Sequence, residues 1–419
     1  MKYLKLILVL VIFSCLNGNA QQLRDSICNA NIKTVQLFKK GWELSYPVIT
    51  LNSDEKLVLG FDDLNKNIKN YCYTLIHCNS NWEASNLNYS EYCNGFEQNQ
   101  FAKPMFSTNT TVNYIHYSLT LPNENCTPII SGNYILKVFE DFDQTKLVFM
   151  KRLYIFESTA NVNLLVIRPE LSKYMMKYQQ CRIKVTPNIT DFTDLQTEIK
   201  TVVLQNFNAS NTQECHPSRI VDNILYYDDL DSNLFEGGNE FRNFDIKSLK
   251  YQSPHIKHIA LNDSIYNIEL HPDEWRNKKQ YFTDIDLDGN YYIENKLGLD
   301  KETDADYFNV HFDLPTNEFL IDGNLYIFGA LSHWQCNASN LMKYNFGTHT
   351  YELNMLLKQG YYNFLIAYVP KETGKIDLSY VEGNHYETEN DYFVFVYYKP
   401  ATGRYERLIG YQRANSLNK

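Results

Sequence analysis

The stretch GNYILKVFED, residues 132–141, decides the fold class of this chain of 419 residues. Tyr134, Leu136 and Val138 make one side of an extended segment apolar, while the positions between them carry both apolar and charged side chains. A period of two residues is that of a β-strand with one face turned to a core. The stretch therefore predicts a strand of a β-sandwich.

Short apolar runs of this kind recur along the chain, bounded by Asn, Asp, Gly and Pro, whereas helical periodicity is scarce. In the first third they are LVLGFDDL, YCYTLIHC, HYSLTLP and KRLYIFE, which begin at residues 57, 71, 116 and 151. The 33 tyrosines also favour strands, because Tyr fits a pleated, half-buried surface. A chain of this length needs more than one core. We therefore predict an all-β fold of tandem immunoglobulin-like β-sandwich domains.

The strand candidates fall into three groups, which predict the domain boundaries. We expect a first, immunoglobulin-like sandwich over residues 21–158 and a second sandwich over residues 159–300. We expect a third sandwich over residues 301–400 and a partly packed tail over residues 401–419. The run DYFVFVYYKP (391–400) is expected to close the third sandwich. QYFTDIDLDGNYYIE (280–294) indicates a hairpin of the second sandwich, with Asp288 and Gly289 as its turn. The neighbouring glycines Gly237 and Gly238 indicate a bulge or a backbone with positive φ.

Residues 1–20 have the pattern of a cleaved export signal. Lys2 and Lys5 precede an apolar stretch over residues 6–16, and small residues precede a cut before Gln21. The alternative is a lipoprotein signal that is cut before Cys15. No later segment reaches the roughly 20 apolar residues that a spanning helix needs. The signal predicts an exported protein.

The charge and the cysteines exclude some classes of function. A net charge of −10 argues against a nucleic-acid partner, because phosphate binding needs a basic surface. Nine cysteines are present, and eight remain if the signal is removed. Without a C-x-x-C pair, they indicate neither a zinc ribbon nor a thioredoxin-type site. We interpret most of them as small buried side chains, while a bridge from Cys78 or Cys93 to Cys126 stays open in an oxidising compartment.

The acidic loop TDIDLDGNYYIEN, residues 283–295, carries oxygen ligands at alternate positions. Asp284, Asp286 and Asp288 are followed by Gly289, which is the start of a calcium-loop pattern. The bidentate Glu of that pattern belongs at the twelfth position, which here is Asn295. Because the flanks resemble strands rather than helices, we favour an acidic turn over a calcium site.

Two groups of residues suggest catalysis only weakly. His77 and Cys78 are neighbours, with His116 and Cys126 downstream, but consecutive residues of a strand point to opposite faces. Packing is therefore the better interpretation of these four residues.

Glu236 and Glu240 are a conceivable glycosidase pair, although nothing in the sequence fixes the distance between their carboxylates. No nucleophile elbow, H-E-x-x-H motif or phosphate loop occurs. We predict that the protein is not an enzyme and has no catalytic, cofactor-binding or metal-binding residues.

Trp334 lies between two strand candidates, and the second of these ends in LKQGYYNF with Tyr361 and Tyr362. This order resembles early-set immunoglobulin domains, among them carbohydrate-binding modules of the glycogen-binding type. The resemblance implies an early-set third sandwich. It also raises an alternative function, a carbohydrate-binding protein of the cell envelope, which requires two exposed rings on one surface.

Several long strings together resemble the plug proteins of the type IX secretion system, and the resemblance covers about residues 30–412. The strings are YTLIHCNSNWEASNLNYSEYCNGF, LFEGGNEFRNFDIKSL, LKQGYYNF and HYETENDYFVFVYY, which begin at residues 73, 234, 357 and 385. The resemblance implies a non-enzymatic periplasmic protein whose first sandwich is the first plug domain. It further implies that the partner is the giant outer-membrane β-barrel translocon. The plug would sit at its periplasmic face and seal the pore when no cargo is passing.

Overall fold

The computed structural model describes residues 23–298 and 300–417 of the chain. These residues form β-sandwiches with a few single-turn helices, so the predicted all-β fold class is confirmed. The predicted signal, with Cys15 and the cut before Gln21, lies outside the described residues.

The first sandwich is built from the strands that alternation predicts. Its elements are β1 (Ser26–Ile27), β2 (Ile32–Lys39), β3 (Val48–Thr50), β4 (Leu57–Asp63), β5 (Tyr71–Cys78), α1 (Tyr89–Tyr92), β6 (Cys93–Gly95), β7 (Asn99–Gln100), β8 (Met105–Phe106), β9 (Ile115–Leu121), β10 (Cys126–Pro128), β11 (Gly132–Glu140) and β12 (Asp143–Phe156). One sheet has the order β1-β12-β11-β5-β7, with β3 parallel to β12, and the other has the order β2-β4-β9-β8. Strands β6 and β10 form a separate ribbon.

The apolar alternation of β11 is explained by this arrangement. Tyr134, Leu136 and Val138 are buried in the core between the two sheets. Phe61 of β4 meets them from the opposite sheet and stacks on Tyr117 at 5.1 Å between ring centroids. The side chains at the intervening positions of β11 leave the sandwich on its outer face.

The second sandwich begins directly after β12. Its first elements are β13 (Ala160–Ile167), β14 (Tyr178–Pro187), α2 (Leu195–Glu198), β15 (Ile199–Gln205), β16 (Thr212–Cys215), β17 (Arg219–Val221), β18 (Ile224–Tyr227) and β19 (Leu234–Glu236). One sheet has the order β13-β14-β18-β17, and β19 also pairs with β14. The other sheet holds β16 and β15 and is incomplete at this point of the chain.

The third sandwich follows before the second is complete. Its elements are β20 (Arg242–Asp245), β21 (Ile256–Asn262), β22 (Ile265–Leu270), β23 (Tyr291–Ile293), α3 (Lys301–Asp304), β24 (Tyr307–Pro315), β25 (Gly323–Phe328), a 3-10 helix (Ala330–Ser332), β26 (Lys343–Asn345), β27 (Thr350–Lys358), β28 (Gly360–Pro370) and α4 (Ser379–Glu382). One sheet has the order β20-β28-β23, with β25 also on β28. The other has the order β21-β22-β24-β27-β26.

The last two strands, β29 (Asp391–Tyr398) and β30 (Arg407–Asn415), return to the second sandwich. Its second sheet has the order β16-β15-β29-β30. The prediction that DYFVFVYYKP closes the third sandwich is therefore wrong. The segment expected as a tail after residue 400 contributes β30 to this sheet. Val394 and Ile409 lie in the core of the second sandwich, so the third is an insertion within the second.

The insertion also changes the assignment of earlier segments. Strands β20 and β22 and the loop before β23 were expected in the second sandwich, but they belong to the third. The predicted hairpin over residues 280–294 is wrong, because residues 280–287 form no strand. Its turn is present: Asp288 and Gly289 have φ of 51° and 81°, and Asn290 N–H donates to Leu287 C=O at 3.0 Å.

Two glycines mark the point where the chain leaves the second sandwich. Gly238 has φ of 69°, which confirms the prediction of positive φ. At Gly237 a Cβ atom would lie 1.9 Å from the carbonyl oxygen of His385, on the returning chain. The absence of a side chain thus allows the outgoing and returning segments to touch.

We expect Gly237→Ala to destabilise the protein by about 1–3 kcal/mol, because a backbone carbonyl must move to admit the methyl group. Chemical denaturation followed by circular dichroism measures the change. Gly347→Ala is the control, since its nearest atom is the side-chain oxygen of Asn345 at 3.3 Å. Equal effects of the two substitutions would contradict the close approach at Gly237.

Candidate functional site: the junction of the three sandwiches

The first sandwich packs its outer faces against the two others. On the sheet that contains β11, the outer side chains form an apolar cluster with the second sandwich, here called the junction cluster. Its largest members are Tyr46, Val48, Trp82, Ile135, Tyr154, Leu204, Phe393, Phe395, Tyr397 and Leu408. Tyr154 stacks on Phe395 with 4.1 Å between ring centroids. Such a contact resembles a domain core, so the two sandwiches form one packed unit.

The opposite sheet meets the third sandwich through a buried polar group, here called the polar clamp, which consists of Asp62, His116, Tyr307 and Lys358. Asp62 of β4 follows inward-facing Phe61 and therefore points to the outer face. Its Oδ2 accepts hydrogen bonds from Lys358 Nζ and Tyr307 Oη, both at 2.7 Å. Its Oδ1 lies 2.7 Å from His116 Nδ1. The side chains of Asp62 and Lys358 are 1% and 2% exposed.

The electrostatics of the polar clamp depend on charge pairing. Burial by itself raises the pKa of Asp62, but the Lys358 charge and the His116 hydrogen bond outweigh it and leave this pKa below its ordinary value. Lys358 also lies 4.1 Å from the centroid of the Tyr114 ring. A lowered carboxyl pKa contributes stability above its ordinary value of 3.8, which is lost as the pH falls through the lowered pKa. Asp62 is therefore ionised and paired with Lys358 at neutral pH.

We expect Asp62→Asn to destabilise the protein by about 3–5 kcal/mol, because it leaves the Lys358 ammonium buried without a counter-charge. Lys358→Met in the same chain should restore part of the loss, since it removes the orphaned charge. Denaturant unfolding of the wild type and the two variants measures both effects.

Lys146→Met provides the matched control. Lys146 and Asp141 form an ion pair at 3.1 Å in which both side chains are more than half exposed. An exposed pair contributes at most about 1 kcal/mol. A loss at Asp62 no larger than this would contradict the clamp.

A cavity of about 570 Å³ lies where all three sandwiches meet. Its wall includes Phe38 and Tyr154 of the first sandwich, Phe207 of the second and Trp334 of the third. It borders the edge of the first sandwich at which β2 ends one sheet and β1 and β3 end the other. The second and third sandwiches thus converge around this edge.

The other edge of the first sandwich lies at the opposite end of both strand orders. There β7 is the last strand of one sheet and β8 the last strand of the other. We call residues 93–106, which contain β6, β7, β8 and the loops between them, the free edge. Just after it, Thr108 N–H donates to Thr303 C=O of the third sandwich at 2.9 Å. Phe96 and Phe106 are 69% and 54% exposed on the free edge. These two aromatic side chains are available for contact with a partner protein.

The acidic loop does not assemble as a calcium pattern requires. Asp284 is exposed and accepts from the Asn243 amide at 3.3 Å. Asp286 instead points inward and accepts the backbone N–H groups of Phe241 at 2.5 Å and Asp288 at 2.7 Å. The geometry is that of an acidic turn held by backbone hydrogen bonds.

Burial raises the pKa of Asp286 to about 7, against the lowering effect of its two backbone hydrogen bonds. The folded protein then binds this proton more tightly than the unfolded chain between pH 3.8 and about 7. Stability therefore falls as the pH rises through this window, by at most about 1.4 kcal/mol per pH unit.

We expect Asp286→Asn to flatten the decline of the melting temperature between about pH 4.5 and about pH 7, because the amide carries no titrating proton. Thermal unfolding at several pH values measures the slope. Asp284→Asn, on the exposed part of the same loop, should leave the slope as in the wild type. A steeper decline in Asp286→Asn would reverse the assigned sign.

The four His and Cys candidates lie in separate environments. His77 is buried against the Tyr134 ring at 5.1 Å, and burial lowers its pKa to about 4. Cys78 faces the other way, into the junction cluster, where burial raises its pKa to about 12. His116 belongs to the polar clamp, and Cys126 lies beside Cys93 on the β6–β10 ribbon.

Glu236 and Glu240 also have different surroundings. Glu236 is exposed on β19 and accepts from the Tyr178 hydroxyl at 3.4 Å. Glu240 is buried and accepts from the Tyr281 hydroxyl and from Glu389 N–H at 3.3 Å. Burial raises the pKa of the Glu240 carboxyl group. The structure gives them no shared partner through which to act as a glycosidase pair.

The aromatic platform that the alternative, carbohydrate-binding function requires is likewise not assembled. Tyr362 lies in the core of the third sandwich, stacked between Phe244 and Tyr291 at 5.2 and 5.1 Å. Trp334 is half-buried against Phe241 and Phe328. A sugar-binding surface built on these rings is not favoured.

Sequence reasoning missed the polar clamp. Its signal was present in FDDL, where a charged residue occupies the outer position of an otherwise apolar strand. Lys358, just before Gly360, gave a second signal. The pairing of Lys358 with Asp62 across 296 residues is not visible in a single sequence.

Two further properties bear on the class of protein. In the described ranges 23–298 and 300–417, no three His, Cys, Asp or Glu side chains are grouped to hold a metal ion. Over those same ranges, no helix is both long and apolar enough to span a bilayer. The fold and the junction thus define a multidomain β-sandwich protein whose conspicuous features are packing surfaces.

Comparison with known proteins gives the family. Residues 32–157 match the model of the type 9 secretion system plug protein first domain. A hypothetical protein from Parabacteroides merdae, known from a crystal structure, is 32% identical, with a TM-score of 0.89 over 93% of this chain and 98% of its own. The BSP domain of a biofilm-associated protein aligns with a TM-score of 0.17, which supports no argument. No curated protein matches the chain.

The chain belongs to the type IX secretion system plug protein family. Its role is therefore related to type IX secretion, in the cell envelope and in association with components of that system. The plug domain is a secretion-related domain and not an enzymatic one.

Proposed function

We propose that the protein is the periplasmic plug that binds the outer-membrane translocon of the type IX secretion system and seals its pore when no cargo is passing. The observation that carries the proposal is the position of the matched domain. Residues 32–157 coincide with the first sandwich, against which both other sandwiches are packed. The rest of the molecule is thus arranged as a support for the plug domain.

Sealing a pore is a steric task, and it requires a body that does not deform. The junction cluster fixes one outer face of the first sandwich, and the polar clamp fixes the other. Neither contact depends on a ligand. A wedge built in this way closes an opening by occupying it, without any chemical step.

We assign the contact with the translocon to the free edge. Both outer faces of the first sandwich are used within the molecule, which leaves its edges and ends for a partner. Phe96 and Phe106 offer large apolar side chains there, and aromatic anchors contribute most of the free energy of many interfaces. A small contact of this kind also suits a plug that has to leave, because transient interfaces are smaller and more polar than obligate ones.

Deleting the gene should make the outer membrane leaky to bulky solutes, since an unoccupied pore conducts whether or not cargo is present. Influx of a large antibiotic, compared among wild-type cells, the deletion strain and a strain lacking both plug and translocon, measures this. The leak should require the translocon. Unchanged influx in the single deletion, or an equal rise in the double deletion, would refute the proposal.

Phe96→Asp together with Phe106→Asp tests the assigned surface. The variant should fold normally, co-purify poorly with the translocon and reproduce the leak of the deletion strain. Tyr251→Asp is the control, because Tyr251 is 78% exposed and belongs to the third sandwich rather than to the plug domain. A leak in the deletion strain but not in the double variant would support the plug function and would refute the assignment of the translocon contact to the free edge.

A further inference from the structure

The ribbon of β6 and β10 brings two buried cysteines together. Cys93 and Cys126 lie on these paired strands, and their sulfur atoms are 3.6 Å apart. They are the one cysteine pair in sulfur–sulfur contact among residues 23–298 and 300–417. Their relative exposures are 1% and 0%. A disulfide bond is about 2.05 Å long, so the two sulfur atoms need to approach by roughly 1.5 Å.

We propose that Cys93 and Cys126 are a modification site at which the exported protein forms an intramolecular disulfide bond. This inference is independent of the proposed plug function, because it rests on the geometry of the ribbon. The oxidant is an external disulfide, such as that of a thiol–disulfide oxidoreductase of the cell envelope. Oxidising compartments outside the cytoplasm are where structural disulfides form and persist.

The exchange proceeds in two balanced steps. The Cys93 thiolate attacks one sulfur of the external disulfide, forms a mixed disulfide and releases the other sulfur as a thiolate. Cys126 loses its proton and attacks the Cys93 sulfur, which expels the second thiol of the oxidant. The two cysteines together lose two protons and two electrons, and the external disulfide is reduced to two thiols.

The surroundings favour Cys93 as the first nucleophile. A hydrogen bond from the Cys126 thiol lowers the pKa of Cys93 despite its burial, and Tyr89 contributes a further hydrogen bond. The Tyr89 hydroxyl lies 3.5 Å from the Cys126 sulfur. Because both thiols are covered in the folded protein, the exchange occurs while the ribbon is still accessible, during folding after export.

The bond would link two short strands covalently at the edge of the first core. Strand β6 has three residues and pairs only with β10, and Phe96 of the free edge follows it directly. At Gly95, φ is 113° and a Cβ atom would lie 2.0 Å from the carbonyl oxygen of Asn125, so the two strands are already in close backbone contact. A covalent link between these strands would stop the ribbon from opening.

The decisive experiment is peptide mapping of the full chain purified from the envelope. Free thiols are blocked by alkylation under denaturing, non-reducing conditions, and the digest is analysed by mass spectrometry. We expect a peptide pair linked through Cys93 and Cys126 that separates on reduction, with Cys28 fully alkylated. Alkylation of both Cys93 and Cys126, or linkage of either one to another cysteine, would overturn the proposal.

Thermal unfolding gives a second test with its own control. The wild type refolded in reductant, with both thiols free, should melt roughly 5 °C or more below the oxidised protein, since a loop of this length is constrained by the bond. Cys93→Ala with Cys126→Ala should melt at the same temperature with and without reductant. Cys28→Ser, at an exposed cysteine, should keep the wild-type response. A wild type that does not respond to reductant would contradict the bond.

Discussion

A carboxylate buried between two domains needs both a counter-charge and hydrogen-bond donors, and Asp62 obtains most of them from the third sandwich. Lys358 and Tyr307 each contribute one donor at 2.7 Å. Neither Asp62 nor Lys358 is exposed enough for water to replace its partner. The charged pair therefore fixes one relative position of the first and third sandwiches. The junction cluster on the opposite face of the first sandwich then adds stability without having to fix the relative position of the domains.

The chain connectivity reinforces this arrangement. Because the third sandwich is inserted between β19 and β29, two chain segments tie it to the second sandwich. These segments touch at Gly237 and His385, and Asn390 hydrogen-bonds the Gly237 carbonyl oxygen at 2.8 Å. Rotation of the third sandwich would have to break both these contacts and the polar clamp. The three sandwiches thus restrain one another through different kinds of interaction.

The individual strands were predictable because their alternation reports a core on one side. The alternation in residues 132–141 was enough to place β11, and the turn at Asp288 and Gly289 was recognisable from its residue types. The partner of β29 was not predictable. All eight of its side chains are buried, because Val394 and Val396 face the second core while Phe393 and Phe395 face the junction cluster. A run that is apolar on both faces indicates a central strand, but it does not indicate which sheet the strand joins.

The candidate site depended on such long-range pairings even more strongly. Residue types suggested metal, catalytic or sugar chemistry at several positions, but the fold distributes those residues among separate cores and turns. The family resemblance was visible in local strings, which do not depend on knowing how distant strands pair. The surfaces that remain exposed after folding are therefore more informative about partner binding than any sequence motif. A first sandwich that uses both outer faces internally can bind a partner only through its edges and ends, and this constraint is the reason for proposing the free edge.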